Sequence, residues 1–451
     1  MQGAKGGGKN FSLKKTFFGR FFPPFSKVGT LFAIELYERT TEQKSKHKEN
    51  KKMEFVKSDG LPLHIKSWCR NIEESAMVQA ENLARHPALR HHVALMPDCH
   101  CGIGMPIGGV IAAKDAVIPA AVGVDIGCGM IAVETDIPAE ALGEMPLRRA
   151  IHTRIKDRIP VGEGKQHKTP QEWEGFEEYL DSGKGDSRFV TALDRHNLGT
   201  LGGGNHFIEI QKSDSGLVWL MIHSGSRNLG KRIEEVYQEK AMALCERFYA
   251  PLPCSDLAFL PIQEEEGHNY FNDMNFALKY AFENRQRMMA GCKEVIREFF
   301  PEAEFRREVN IHHNYAAFEE HFGETLCIHR KGATSAKLGE TGIIPGSMGT
   351  ASYIVRGLGN PASFMSCSHG AGRRMSRTAA CNTLTAAECD EAMKGIVCDR
   401  WHPVSRYGKN KKTLDLSEAP QAYKDIEEVI TAEKDLVEVQ VRLTPLAVVK
   451  G

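Results

Sequence analysis

No C-x-x-C pair occurs among the 12 cysteines of this 451-residue chain. That excludes zinc ribbons and thioredoxin-like dithiols, which need closely spaced thiols. No apolar run approaches the ~20 residues of a membrane-spanning helix. Neither charge sign is in excess, since 58 Lys and Arg balance 58 Asp and Glu. Global charge therefore says nothing about a polyanionic partner, and any basic surface must be local. No H-E-x-x-H occurs, and the two near-matches to nucleotide fingerprints fail. Gly3-x-x-x-x-Gly8-Lys9 continues with Asn10 where a hydroxyl must hold Mg²⁺. Gly102-x-Gly104 is followed by Ile107 in place of the third glycine. With no signal peptide, the cysteines are expected to be reduced and the protein cytoplasmic.

What is present reads as a globular protein, 41% hydrophobic and 26% charged. Residues 1–52 differ from the rest. They carry Gly6-Gly7-Gly8, a phenylalanine-rich run from Phe17 to Phe22 and a lysine-rich stretch from Lys44 to Lys52. They read as a disordered extension, or as a misassigned start ahead of Met53. Residues 53–451 read as one integrated α/β domain. Val117–Val133 suggests strands and tight loops, Ile233–Phe248 and Phe271–Phe300 have helical periodicity, and Leu436–Val449 alternates as a strand. The basic, turn-rich stretch Asp399–Lys412 reads as a surface loop.

The metal-binding chemistry is spread along the chain. Val124-Asp125-Ile-Gly-Cys128-Gly sets a carboxylate and a thiol three residues apart in a glycine-rich turn after an apolar strand. A hard and a soft ligand together suit borderline ions such as Mn²⁺, Fe²⁺, Co²⁺ or Zn²⁺. Taken alone, the pair is equally a buried cysteine beside a turn-capping aspartate. Gly202-Gly-Gly-Asn205-His206 precedes a strand, and His223-Ser-Gly-Ser-Arg227 ends the apolar run Val218–Ile222. In His312-His313, neighbouring side chains point to opposite faces, so only one can meet the same centre. A soluble metalloenzyme drawing on Asp125, Cys128, His206, His223 and His313 is the expectation.

A second dense region holds Pro345-Gly-Ser347-Met-Gly-Thr350-Ala-Ser352, then Ser368-His369-Gly-Ala371-Gly372-Arg373 and Arg377. The first loop reads as a nest of exposed N–H groups and hydroxyls for phosphate. Arginine forks match phosphate oxygens, and an imidazole such as His369 can attack phosphorus and hold it covalently. The alternative is a histidine capping a glycine turn, with the arginines on a solvated helix face.

Several ordered motifs, namely Met96-Pro-Asp-x-His100, Val124-Asp-Ile-x-Cys128-Gly, Gly204-Asn-His-Phe, His223-Ser-Gly-Ser-Arg227, Arg330-Lys-Gly-Ala, Pro345-Gly-Ser-Met-Gly-Thr350, Ser368-His-Gly-Ala-Gly-Arg373, Ala422-Tyr-Lys-Asp and the final Val-Lys450-Gly, together resemble the RtcB family of RNA ligases. The resemblance spans Met53 to the last residue. It implies an α/β fold with the site in a central cleft. It also implies GTP- and Mn²⁺-dependent joining of RNA 3′-phosphate or 2′,3′-cyclic phosphate ends to 5′-hydroxyl ends, in RNA repair or tRNA splicing.

By the same resemblance, Asp125, Cys128, His206, His223 and His313 match the ligands of two Mn²⁺ ions, with Cys128 shared. His369 matches the catalytic histidine that becomes guanylated. Asn205, Glu209, Ser347, Ser352, Ala371, Gly372, Tyr423 and Lys450 match guanylate-contacting positions. The implied intermediates are a histidine-guanylate and an RNA(3′)pp(5′)G end. The expected partners are GTP, RNA with those ends and an archease-like activator, acting on a monomer without a membrane. Arg227, Arg330, Lys331 and Arg373 are candidate RNA-phosphate contacts. A metal-dependent RNA hydrolase and a non-catalytic RNA-binding homologue are the rival readings. Neither needs both the nucleophile and Lys450. Cys99 and Cys101, flanking His100, depart from the family pattern.

Overall fold

The computed structural model describes residues 53–399, 401–403 and 414–451. The expectations for the extension 1–52, and for most of the basic loop 399–412, lie outside the described residues. The architecture is mixed α/β and is built on two large sheets. In hydrogen-bonded order the first comprises Phe55–Lys57, His64–Ser67, Leu89–His100, Ile107–Ala113, Glu324–Lys331 and Asn314–His321. The second comprises Phe305–His312, Gly129–Pro138, Leu217–Ser224, Phe207–Ser213, Val437–Lys450, Ser352–Gly357 and Thr341–Ile344. Every pairing in the second sheet is antiparallel.

Both faces of the central strands Gly129–Pro138 and Leu217–Ser224 are buried, which is why these strands read as near-continuous apolar runs. Ile131, Val133, Leu220 and Ile222 pack against the helix Met145–Arg158 and the long helix Glu265–Phe299. The intervening residues Met130, Ala132, Trp219 and Met221 fill a second core layer on the opposite face. Another core lies between the first sheet and the helices Glu74–Ala84, Leu229–Arg247 and Glu265–Phe299.

The expected helices and the C-terminal strand are present, with ends shifted by a few residues. One local expectation is corrected. The segment before Asp125 is not a strand but a one-turn helix, Pro119–Val122. Proline at its first position fits helix entry, because the missing N–H would have no partner there. Gly123, at φ 94, then ends it.

Register in the second sheet creates the site. Gly129 pairs with both His312 and Ser224. Phe207 pairs with His223 on one side and Lys450 on the other. Cys128, His313, His223, His206 and Lys450 therefore stand at one end of five adjacent strands, although 322 positions separate the first from the last in sequence (450 − 128).

Candidate metal and nucleotide cleft

The donor atoms of Cys128, His206 and His223 lie within 4.8 Å of one another. The Cys128 Sγ is 3.3 Å from His223 Nε2 and 3.5 Å from His206 Nε2. His313 Nε2 lies 3.0 Å from His223 Nε2, and Asp125 Oδ2 lies 3.3 Å from His206 Nε2. The five expected ligands thus form a row, with the carboxylate at one end, His313 at the other and the thiol near the middle.

Hydrogen bonds on the far side of the rings fix what two of these imidazoles offer. The His223 Nδ1–H donates to the Asn205 carbonyl. The His313 Nδ1–H donates to Asn314 Oδ1, whose orientation is set because that oxygen also accepts from Gly332 N–H while Nδ2 donates to the Asp125 carbonyl. Both Nε2 atoms then carry lone pairs and face each other at 3.0 Å. Such a contact is repulsive unless a cation sits beside it. A proton or a metal ion shared there would relieve it, and a donor bond behind each ring is the usual arrangement of metal-ligating histidines.

The electrostatics agree. Burial and neighbouring imidazoles hold His223 and His313 well below the ordinary histidine pKa, in the neutral form that binds metal. Burial opposes charge on Asp125, but the His206 ring and the Arg227 guanidinium outweigh it and keep the carboxyl well below its usual range. Burial, then Asp125, pushes the Cys128 thiol up. A coordinated metal reverses that, since it deprotonates a thiol outright. Gly225 is required beside this row, because a Cβ there would fall 2.3 Å from Asp125 Oδ1.

His312 points away, bonded to the Gly127 carbonyl and to Arg285, so one histidine of the pair reaches the centre, as strand alternation requires. His369 lies next to His313, with ring centroids 4.8 Å apart. Its Nδ1–H and its backbone N–H both donate to Asp98 Oδ2, at 2.6 and 3.1 Å. Asp98 is fully buried. This leaves the Nε2 lone pair as the free face of the ring. The sequence reading assigned Asp98 no role, although it lies within the Met96-Pro-Asp motif. The clue was a proline inside an otherwise apolar strand, which marks a bulge.

His369 lines a cleft with Asn205, Ser347, Ala371, Gly372, Tyr423 and Lys450, six of the eight expected guanylate positions. Glu209 and Ser352 are not on its wall. Gln211 Nε2 donates to both of them, at 2.6 and 3.1 Å, in a buried layer behind Gly346. Burial raises the Glu209 carboxyl to about 8, against the Gln211 hydrogen bond and the Lys450 charge.

On the far wall, Glu418 accepts from Arg373 at 3.2 Å, Arg377 at 3.0 Å and Lys450 at 3.4 Å, and from the Tyr423 hydroxyl. Burial resists its charge, but Lys450, Arg377 and Arg373 bring its carboxyl down to about 2. Sequence reasoning missed Glu418, since nothing in Ser417-Glu-Ala-Pro marks it.

Three expectations are corrected. The Pro345–Thr350 loop does not expose its first N–H groups as a nest, because Gly346 N–H donates to Ser352 Oγ and Ser347 N–H to Thr350 Oγ1. Arg330 is fully buried, forked onto Glu319 at 2.7 and 3.0 Å. Lys331 is buried on the Ile103 and Ala120 carbonyls. Both support the fold and are not surface contacts. Arg227, by contrast, lies beside His206 at 3.2 Å, and Arg373 faces the cleft.

A row of donors that could hold a metal ion, a carboxylate-oriented histidine and a cationic wall are the features of a group-transfer enzyme. The family model described as tRNA-splicing ligase RtcB matches residues 79–193 and 186–451. The RNA-splicing ligase RtcB of Escherichia coli K12 is 40% identical over 424 residues, covering 88% of this chain and 99% of that protein. The tRNA-splicing ligase RtcB of Methanococcus maripaludis is 31% identical over 84% of this chain and 92% of its own length. The RNA-splicing ligase RtcB of Mycobacterium tuberculosis is 34% identical over 83% of this chain and 100% of its own. The chain belongs to the RtcB family and is a ligase of that family.

Proposed function

We propose that this ligase joins RNA 3′-phosphate or 2′,3′-cyclic phosphate ends to 5′-hydroxyl ends, using GTP, Mn²⁺ and a guanylated His369. The observation that carries the proposal is the Asp98–His369 pair beside the ligand row. An imidazole whose Nδ1–H is held by a buried carboxylate presents Nε2 as a nucleophile in the correct tautomer.

Asp125, Cys128, His206, His223 and His313 would hold two ions sharing the Cys128 thiolate, and the mixed donor set suits Mn²⁺. Bound there, the ions supply charge stabilisation to phosphate oxygens. His369 Nε2 attacks the α-phosphorus of GTP. The N–P bond forms as the bond to pyrophosphate breaks, and Asp98 keeps the Nδ1 proton in place. Arg373, Arg377 and Lys450 give the opposite wall the positive charge a nucleotide needs, and Tyr423 offers an aromatic face to the base. A cyclic phosphate is first opened by water. The guanylate then passes to the RNA 3′-phosphate, giving RNA(3′)pp(5′)G, and attack by the 5′-hydroxyl releases GMP. A reducing, cytoplasmic setting fits the 12 free cysteines.

Incubation with α-labelled GTP and MnCl₂ tests the proposal. A covalent protein–GMP adduct is expected, with loss of both adduct and ligation in His369→Ala. Full ligation without any adduct would overturn it. Release of RNA phosphate without joining would point to the hydrolase reading.

A further inference from the structure

Asp98 orients His369, yet its own strand segment falls in a break of the ladder pairing. The parallel pairing with His64–Ser67 ends at Leu95, and the register with Ile107–Ala113 shifts between Leu95 and His100. Pro97 has no N–H to donate to any neighbour. The carbonyls of Pro97 and Cys99, on either side of Asp98, are both met by Lys424, and the Cys69 thiol also approaches the Cys99 carbonyl at 3.9 Å. Lys424 Nζ donates to Cys99 O at 2.5 Å and to Pro97 O at 3.3 Å, and lies 3.4 Å from Cys69 Sγ. The Lys424 backbone N–H donates to the Gly372 carbonyl at 2.9 Å. Gly372, at φ +71, leaves no room for a Cβ, which would fall 2.3 Å from the Asp98 carbonyl. Lys424 also directly follows Tyr423 of the cationic wall.

We infer that Lys424 is a positioning residue for the nucleophile. Its ammonium fills the break in the ladder pairing, fixes the backbone on both sides of Asp98, and through Asp98 sets the aim of the His369 ring. An ammonium has three donors and can serve two carbonyls at once, and charge-assisted bonds are stronger and shorter than neutral ones. Lys424 does not touch the reacting atoms. It couples the wall that holds the nucleotide to the residue that attacks it.

The inference rests on His369 being guanylated, and the test separates the two. Adduct formation from α-labelled GTP and MnCl₂ is followed in single turnover for wild type, Lys424→Met, Lys424→Arg, Asp98→Asn and the Lys424→Met/Asp98→Asn double variant. Lys424→Met should slow adduct formation by about 10- to 100-fold, the range for groups that orient a first-layer residue. GTP affinity should stay within about twofold, and Lys424→Arg, which keeps charge and donors, should recover most of the rate. The double variant should be no slower than the slower single variant, since residues acting through one another are not additive. An adduct formed at the wild-type rate in Lys424→Met, or full additivity, overturns this inference alone. If Lys424→Met does not fold, a wild-type rate in Lys424→Gln does the same. Absence of any adduct in the wild type overturns the functional proposal and this inference with it.

Discussion

The two walls of the cleft pose opposite electrostatic problems. On the ligand wall, His223 and His313 turn lone pairs toward each other at 3.0 Å, beside a thiol and a carboxylate. That wall needs a cation. On the facing wall, Arg373, Arg377 and Lys450 share one carboxylate, Glu418. That wall is lined by positive charge and suits an anion. His369 stands between them, oriented by Asp98. The difference fits the proposed function, in which one cleft gathers metal and polyphosphate on separate walls.

Breaking the ligand wall should have the largest effect. Cys128→Ala removes the donor shared by His206 and His223. Bound Mn²⁺ per chain, measured by elemental analysis after gel filtration, should fall, and ligation should drop at least about 100-fold. Retention of full metal content would mean that the thiol is a bystander in the row.

The cationic wall should respond next, in stability. The folded-state pKa of Glu418, about 2, lies below its ordinary value of 4.5. Its ionised form therefore stabilises the fold above about pH 4.5, and that contribution is lost as pH falls from 4.5 through 2. The side chain is 12% exposed, so solvent screening discounts it only modestly. The shift corresponds to about 3 kcal/mol. Urea midpoints should show Glu418→Gln less stable than wild type at pH 7, with the two converging near pH 2. Parallel curves at all pH values would show that the carboxylate does not hold the three cations.

The smallest effect belongs to the layer behind the cleft. Burial raises Glu209 to about 8, so the folded state holds this proton more tightly than the unfolded chain. Its contribution makes stability decline as pH rises from about 4.5 toward 8. Glu209→Gln should leave stability near pH 4 nearly unchanged and flatten that decline at higher pH. A large loss at pH 6 would mean that the glutamate is ionised in the folded state and that Lys450 depends on it.

The ligand wall was legible in the sequence because its chemistry is unusual residue by residue. Cysteine, aspartate and histidine at the ends of apolar segments have few bland explanations when five occur together, and glycines such as Gly225 record the close approach. The cationic wall was legible only in part. Arg373, Arg377 and Lys450 could be noticed, but their common partner Glu418 lies in an unremarkable turn. Charge by itself misled at Arg330 and Lys331, because sequence does not reveal whether a cation meets a carboxylate such as Glu319 inside the fold.

The sequence alone determined the donor inventory, the candidate nucleophile and the family, because those depend on which atoms are present and on their order along the chain. Tertiary structure decided which of those atoms meet. Antiparallel register brings Cys128, His206, His223, His313 and Lys450 to one sheet end. Burial sets which carboxylates carry charge, and a bulge in the strand brings the carbonyls on both sides of Asp98 to Lys424. Those outcomes follow from long-range pairing and desolvation, neither of which leaves a local mark in the sequence.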